Sequence, residues 1–183
     1  MKTSRWIVIL VSALTSVVQA ADSAAPNAVG SSVKFVPHRL GQFRSEALGV
    51  ADFNGDGRLD IVAGANFYPA PDWKPARIRT LSGDVDSAGK GYHDDFMNLP
   101  LDVDGDGKPD IVSCGWFSKS VRWYRNRLSQ PGDWPGTIAE TSVNFECGEL
   151  VDIDGDGMVR EVLPDCEPTI WFEAAPTGSG MRG

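Results

Sequence analysis

The chain has little that would suit a nucleic-acid ligand, an anionic membrane surface or a zinc centre. Only 17 of its 183 residues are Lys or Arg, against 25 Asp or Glu, and no run of basic residues occurs. Because nucleic acids and anionic lipids are bound through clustered positive charge, a net charge of −8 argues against both partners. The three cysteines and two histidines show no zinc-ligand spacing. P-loop and Gly-x-Ser-x-Gly motifs are also missing.

Helical periodicity is equally scarce. After the first twenty residues, no segment keeps apolar residues at helical spacing for three turns, which argues against a substantial helix. The composition still supports a packed core, because 42% of the residues are hydrophobic and 9% are aromatic. A chain of this length corresponds to one domain, or to two very small ones.

The one long apolar run lies at the N-terminus and is typical of a secretory signal. Lys2 and Arg5 flank the start of this run, which covers residues 6–14, and residues 18–20 (VQA) suit cleavage after position 20. The run is shorter than the about 20 apolar residues that span a bilayer, which disfavours a membrane anchor. The sequence therefore predicts a cleaved signal at 1–20, a secreted, periplasmic or cell-surface location, and no membrane span.

A motif rich in aspartate and glycine occurs three times at a spacing of 50 residues. The segments are DFNGDGRLDIV from Asp52, DVDGDGKPDIV from Asp102 and DIDGDGMVREV from Asp152. Short β-branched runs follow the motifs, and Gly, Pro, Asn and Asp separate further strand candidates. A fixed period of this length is typical of repeat architectures, in which each unit packs on its neighbour. About four short strands in each unit match one blade of a β-propeller.

Each motif offers oxygen ligands at alternate positions, which suits a hard divalent cation such as Ca²⁺. Side chains at positions 1, 3, 5 and 9 and the carbonyl at position 7 can converge, while the glycine at position 6 supplies the turn. Carboxylates gathered without a cation would repel one another, so a bound ion is the natural compensation. The predicted ligands are Asp52, Asn54, Asp56, the Arg58 carbonyl and Asp60, then Asp102, Asp104, Asp106, the Lys108 carbonyl and Asp110, then Asp152, Asp154 and Asp156.

The third motif departs from the others at its closing position. Arg160 stands where they carry aspartate, and its guanidinium can pair with carboxylates of its own loop in place of an ion. Glu161 comes next, but neighbouring strand side chains point to opposite faces, so we expect that it does not replace the missing ligand. The sequence therefore predicts two occupied Ca²⁺ sites and a weak or empty third. Metal-free Asp-Gly turns are the alternative.

The triple motif resembles the FG-GAP/VCBS repeats of integrin-α-like β-propellers, and most of all those of exported bacterial proteins. EF-hands and dockerins fit less well, because they need an acidic twelfth position and flanking helices. The resemblance implies an all-β fold, a partial β-propeller of about three four-stranded blades with calcium-binding hairpin loops. The predicted boundaries are a linker at 21–32, a propeller fragment at 33–176 with blades at about 33–83, 84–133 and 134–176, and a flexible tail at 177–183.

Three repeats are too few to close a ring, since propellers have 4–8 blades. We therefore expect the arc to be completed by further blades of a longer chain or by other chains, and we favour the longer chain.

Because the repeats carry calcium-loop chemistry but no catalytic constellation, we expect a non-catalytic module in adhesion, scaffolding or ligand binding, with an extracellular protein or glycan as its partner. The alternative is the propeller portion of a metal-assisted sugar lyase or dehydratase, for which His93, Asp94 and Asp95 are the first catalytic candidates. A polar loop is the simpler interpretation of these three residues, because no clear nucleophile accompanies them.

The cysteines leave two alternatives open. A hairpin around the third motif could bring Cys147 opposite the stretch around Cys166, which would allow a disulfide and leave Cys114 as a buried thiol. Three reduced, packed thiols are the other alternative.

We predict that the exported protein begins at Ala21, because the residues before it have the size that signal cleavage requires. N-terminal sequencing and intact mass of secreted material check the cleavage site. Secreted material that retains Met1 would contradict the prediction.

Overall fold

The structure is a computed structural model that describes residues 34–44, 46–174 and 181–182. Its strands all belong to one compact unit, residues 38–183. All the strand pairs are antiparallel, and the described residues contain no helix, hence none that could cross a membrane. The predicted signal at 1–20 and linker at 21–32 lie outside the described residues.

Three sheets of four strands each make up the fold, and the strands of each sheet follow chain order. The first sheet contains β1 (Leu48–Ala51), β2 (Asp60–Ala63), β3 (Asn66–Tyr68) and β4 (Ala76–Arg77). The second contains β5 (Met97–Leu101), β6 (Asp110–Gly115), β7 (Ser120–Tyr124) and β8 (Gly136–Glu140). The third contains β9 (Gly148–Val151), β10 (Glu161–Pro164), β11 (Phe172–Ala174) and β12 (Met181–Arg182). The predicted all-β fold of three four-stranded blades is confirmed.

Two strands, β8 and β12, do not agree with the predicted boundaries of the blades and the tail. β8 pairs with β7, so the second sheet continues past the blade boundary expected at residue 133. The Pro- and Gly-rich stretch at 131–136 therefore belongs to the connection between β7 and β8. Trp134 in this stretch is buried in the cluster shared with the first sheet and donates its backbone N–H to the Ile78 carbonyl at 2.6 Å. β12 lies within the predicted flexible tail and pairs with β11.

The core lies between neighbouring sheets, where apolar faces are removed from water. Between the first and second sheets the buried residues are Phe53, Val62, Phe67, Ile78, Ile111 and Trp134. Between the second and third they are Met97, Leu101, Val103, Val112, Cys114, Val121, Phe145, Val162, Phe172 and Ala174. Phe53 and Val103, the second residues of the first two Asp-rich loops, therefore pack against the next sheet. The equivalent residue of the third loop, Ile153, is exposed, and no fourth sheet lies beside it among the described residues.

The pairing of β9 with β10 is shifted by one residue from the pairing that would place Cys147 opposite Cys166 and permit a disulfide. The Asp165 N–H donates to the Cys147 carbonyl at 2.7 Å, so Asp165, and not Cys166, lies opposite Cys147. All three cysteines are free, which agrees with the reduced-thiol alternative. Burial raises the pKa of the Cys114 thiol well above its usual range.

A buried ion pair joins the first and second sheets. Arg79, which follows β4, donates to the Asp95 carboxylate at 2.9 Å and to the Asn98 side chain at 2.7 Å. It also donates to the Gly64 carbonyl at 2.9 Å, and its guanidinium carbon lies 4.7 Å from the centre of the Tyr124 ring. A buried charge is tolerated only with partners of this kind, so these contacts fix how the two sheets pack.

We predict that Arg79→Met lowers the free energy of unfolding by about 3–5 kcal/mol, because it removes the positive partner of a buried carboxylate. Chemical denaturation measures the loss. Arg77→Met is the matched control, since Arg77 is exposed and pairs with Asp133 at the surface, where the transition midpoint should hardly move. Similar losses in the two variants would show that the Arg79 contacts are not special.

Candidate metal-binding loops

Each Asp-rich loop connects the first two strands of its sheet, and the strand register fixes the position of its closing acid. The residue paired with the end of the first strand is Asp60 in the first sheet, Asp110 in the second and Glu161 in the third. An acidic side chain therefore begins the second strand of all three sheets.

Glu161, and not Arg160, occupies the closing position of the third loop, so the expectation that its side chain lies on the face away from the loop acids is wrong. Ten residues run from Asp152 to Glu161, whereas nine run from Asp102 to Asp110. The extra residue moves the closing position from Arg160 to Glu161. The argument from opposite strand faces assumed a nine-residue loop, which the third sheet does not have.

The three closing acids share their burial and one backbone hydrogen bond. All are fully buried, and each accepts the N–H of the second residue of its own loop. These bonds run from Phe53 to Asp60 at 3.2 Å, from Val103 to Asp110 at 3.2 Å and from Ile153 to Glu161 at 3.3 Å. The entrance and exit of each loop are thereby joined.

Acids at positions 1 and 3 converge with the closing acid in the second and third loops. One oxygen from each member of these two triads lies within 4.8 Å of the others. Ligands about 2.4 Å from a calcium ion and on opposite sides of it would be about 4.8 Å apart, so the spacing fits one Ca²⁺. The triads are Asp102, Asp104 and Asp110, and Asp152, Asp154 and Glu161.

The first loop has the same curled backbone with an amide in place of one acid. Asp52 accepts the N–H groups of Gly55 and Gly57, each at 2.8 Å, and the bond to the second of these glycines recurs in the other loops. Gly57 has a φ of 84°, a conformation that glycine adopts without strain. Asn54 and Asp60 occupy the loop positions of the other two triad members.

The acids at position 5 do not belong to the triads and instead pair with arginines. The distances are 3.8 Å for Asp56 and Arg58, 3.6 Å for Asp106 and Arg125, and 2.5 Å for Asp156 and Arg160. The predicted pairing of Arg160 with a carboxylate of its own loop is thus confirmed. The carbonyl ligands predicted at Arg58 and Lys108 stay predictions.

Three buried triad oxygens have no hydrogen-bond donor: both carboxylate oxygens of Asp104 and Oε1 of Glu161. Their nearest cations are arginines in ion pairs, with the Arg125 Nε at 2.5 Å from Oδ2 of Asp104 and the Arg160 Nε at 3.7 Å from Oε1 of Glu161. A buried carboxylate oxygen without a partner is costly, and a cation at the centre of the triad would supply one. Hard oxygen donors are also the ligands that Ca²⁺ prefers, so the residues present fit the predicted ion.

Contacts from the second sheet support the second loop. The pKa of Asp110 is raised to about 6, chiefly by burial and to a smaller extent by the nearby Asp104 carboxylate. Hydrogen bonds from the Asn126 N–H at 2.7 Å and the Trp123 indole N–H at 2.8 Å oppose this rise. Asn126 also donates to the Phe53 carbonyl at 2.8 Å and so connects the first two loops. Sequence reasoning missed Asn126, because nothing in the motif indicates a partner 16 residues away.

The candidate catalytic residues do not form a common site. Asp95 belongs to the buried ion pair with Arg79. Asp94 accepts two backbone N–H groups of the β6–β7 turn, at 2.9 and 3.0 Å. The His93 ring stacks on Phe43 with a centroid separation of 4.8 Å. Each side chain therefore has its own structural contacts, as the polar-loop interpretation requires.

The sheets and loops define a propeller-type repeat protein, and two family models agree with this class. A model described as FG-GAP repeat matches residues 46–92, and one described as FG-GAP-like repeat matches residues 102–159. The chain belongs to the FG-GAP repeat family. No curated protein and no solved structure matches it significantly.

We predict that metal-free wild type loses stability relative to Asp110→Asn as the pH rises. The raised pKa means that the fold holds the Asp110 proton more tightly than the unfolded chain does. This contribution to stability is complete below about pH 4 and is lost as the pH rises through about 6. Asn carries no charge at any pH, so the comparison isolates this group.

Melting temperatures of both proteins in chelator, at about pH 5 and about pH 7.5, measure the effect. A difference between the two proteins that is the same at both pH values would contradict the raised pKa.

Proposed function

We propose that this FG-GAP repeat chain is an exported, calcium-binding module that acts without catalysis in adhesion, scaffolding or ligand binding. The observation that carries the proposal is the convergence of three acids within 4.8 Å in two loops, each with a buried oxygen that lacks a hydrogen-bond donor. Export is supported by the N-terminal sequence, which lies outside the described residues. The separate contacts of His93, Asp94 and Asp95 give no support to a catalytic role.

Calcium would stabilise the blades through the loops. Each loop joins the first two strands of a sheet, so an ion held by its entrance and exit acids would link these strands. An ion that binds the folded chain and not the unfolded chain raises stability by mass action. In the second loop the Asp104 carboxylate would contact both the ion and Arg125, whose Nε lies 2.5 Å from it.

The third site is proposed to be the weakest, because a less exposed arginine lies beside it. Arg160 is 19% exposed and lies 2.5 Å from Asp156, 3.4 Å from Glu173 and 3.7 Å from Glu161. Arg125 beside the second loop is 43% exposed, so water screens its charge more strongly. A guanidinium that stays charged next to Ca²⁺ lowers the affinity of the site.

Loop packing supports a further blade as the neighbour of the third sheet. Phe53 and Val103 occupy the second position of their loops and are buried with the following sheet, whereas Ile153 is exposed at the same position. A blade packed on this flank would cover Ile153 as the second and third sheets cover its counterparts.

We predict that titration calorimetry with CaCl₂ finds two tighter sites and one weaker site. Glu161→Gln should abolish the weaker site, because it removes the closing charge while keeping the side-chain shape. Arg160→Gln should strengthen the same site by about tenfold or more, because it removes a positive charge at short range.

Glu149→Gln is the matched control, since this exposed glutamate lies in the same sheet but outside the triad. It should leave all three sites unchanged. Melting curves in chelator establish that each variant is folded. A weaker site that survives in folded Glu161→Gln would refute the assignment of Glu161 as a ligand.

A further inference from the structure

We propose that a groove between residues 82–94 and the β6–β7 turn binds a neutral oligosaccharide. This inference rests on the proposed function as a ligand-binding module and names the class of ligand. The groove has a volume of about 510 Å³, within the range of roughly 300–1,000 Å³ that is usual for small-ligand sites. Its lining side chains are those of Ser82, Asp84, Tyr92, Asp94, Phe117 and Ser118.

The groove and the Asp-rich loop lie at opposite ends of β6. The loop enters this strand at Asp110, whereas the turn at 116–119 follows its last residue, Gly115. Six extended residues separate the two ends by roughly 17 Å. The groove is therefore distinct from the metal-binding loops and shares no lining residue with them.

Hydrogen bonds hold the two walls of the groove together. Asp94 accepts the Phe117 N–H at 2.9 Å and the Ser118 N–H at 3.0 Å, and its own N–H donates to the Ser82 carbonyl at 2.9 Å. Gly115 permits this close approach, because a Cβ there would lie 2.5 Å from a carboxylate oxygen of Asp94. A groove formed in advance loses little conformational freedom when a ligand binds.

Aromatic rings flank the groove and leave their surfaces open to a ligand. Tyr92 is 51% exposed and Phe117 is 59% exposed. Phe96 lies between them, with ring centroids 6.4 Å from Tyr92 and 5.9 Å from Phe117. The negative face of an aromatic ring attracts weakly positive C–H groups, and one face of a pyranose ring presents several of these.

The polar lining selects for a neutral ligand rich in hydroxyl groups. Two carboxylates, two serine hydroxyls and the phenol of Tyr92 line the groove, and none of its lining residues is Lys, Arg or His. The carboxylates would repel an anionic ligand. The Ser82 and Ser118 hydroxyls can donate and accept hydrogen bonds, and the exposed Asp84 carboxylate can accept them. Apolar flanks with such a polar lining match the C–H faces and hydroxyl edges of a sugar.

Binding of four neutral tetrasaccharides to the full chain tests the proposal. The probes are cellotetraose, xylotetraose, chitotetraose and mannotetraose, each titrated by calorimetry in buffer that contains CaCl₂. We expect at least one to bind, and we expect Tyr92→Ala and Phe117→Ala each to weaken its affinity by about tenfold or more. Phe117→Trp should retain binding, because it keeps an aromatic face.

Trp171→Ala is the matched control, since this tryptophan is also exposed but lies outside the groove. The Trp171→Ala variant should bind the tetrasaccharide with the affinity of the wild type, and melting curves establish that every variant is folded. Binding of none of the four probes, or equal losses in the control and the groove variants, would overturn the proposal. Binding of hexalysine in place of the sugars, with loss at high salt, would also overturn it in favour of a cationic ligand.

The same samples distinguish the failure of this inference from the failure of the proposed function. Calcium binding without sugar binding would refute only the groove. Sugar binding without calcium binding would support the groove and refute the role proposed for the loops.

Discussion

A carboxylate is buried at the start of the second strand in each of the three sheets, and the loops are arranged around its charge. Asp60, Asp110 and Glu161 are fully buried, and each binds the backbone at the entrance of its own loop. Burying a carboxylate is costly unless hydrogen bonds or a cation compensate for the lost water. Hydrogen bonds from the backbone compensate for part of this cost, and in the second and third loops the converging acids would supply ligands for a cation. Folding of the loop and assembly of the candidate site thus have the same physical cause.

The same charge connects neighbouring sheets. Asn126 donates its backbone N–H to Asp110 and its side-chain amide to the Phe53 carbonyl, so the second closing acid and the first loop share a partner. The ring of Phe53 is meanwhile buried between the two sheets. At some distance from the loops, the ion pair of Arg79 and Asp95 joins the same two sheets. Polar contacts therefore fix an interface that apolar packing alone would leave free to slide.

The fold and most of the site could be predicted from the sequence because both depend on local patterns. A 50-residue period, β-branched runs and Asp-Gly turns indicate blades without knowledge of tertiary contacts. Even the closing role of Glu161 has a local signal, since the apolar pair Val162-Leu163 follows it as Ile111-Val112 follows Asp110. Alignment of the third motif with the nine-residue first and second loops leaves out the one-residue insertion.

Other features depend on contacts that no local pattern contains. Arg125 and Asn126 follow β7, which pairs with β6, and they support the second loop from about 20 residues along the chain from its first acids. The Pro- and Gly-rich stretch before β8 resembles a link between blades, and only the pairing of β8 with β7 shows that it belongs within one. The register that separates Cys147 from Cys166 is likewise set by the pairing of whole strands, in which a shift of one residue moves every side chain to the other face.

The strand β6 explains how one blade can hold an ion site at one end and a ligand groove at the other. All six of its residues are buried, because it lies between two strands of its own sheet and packs in the core on both faces. A strand held in this way changes little when either end is occupied, since packed interiors have few alternative arrangements. Calcium at the loop would therefore act on the groove through the stability of the whole sheet, and not through contact with the ligand.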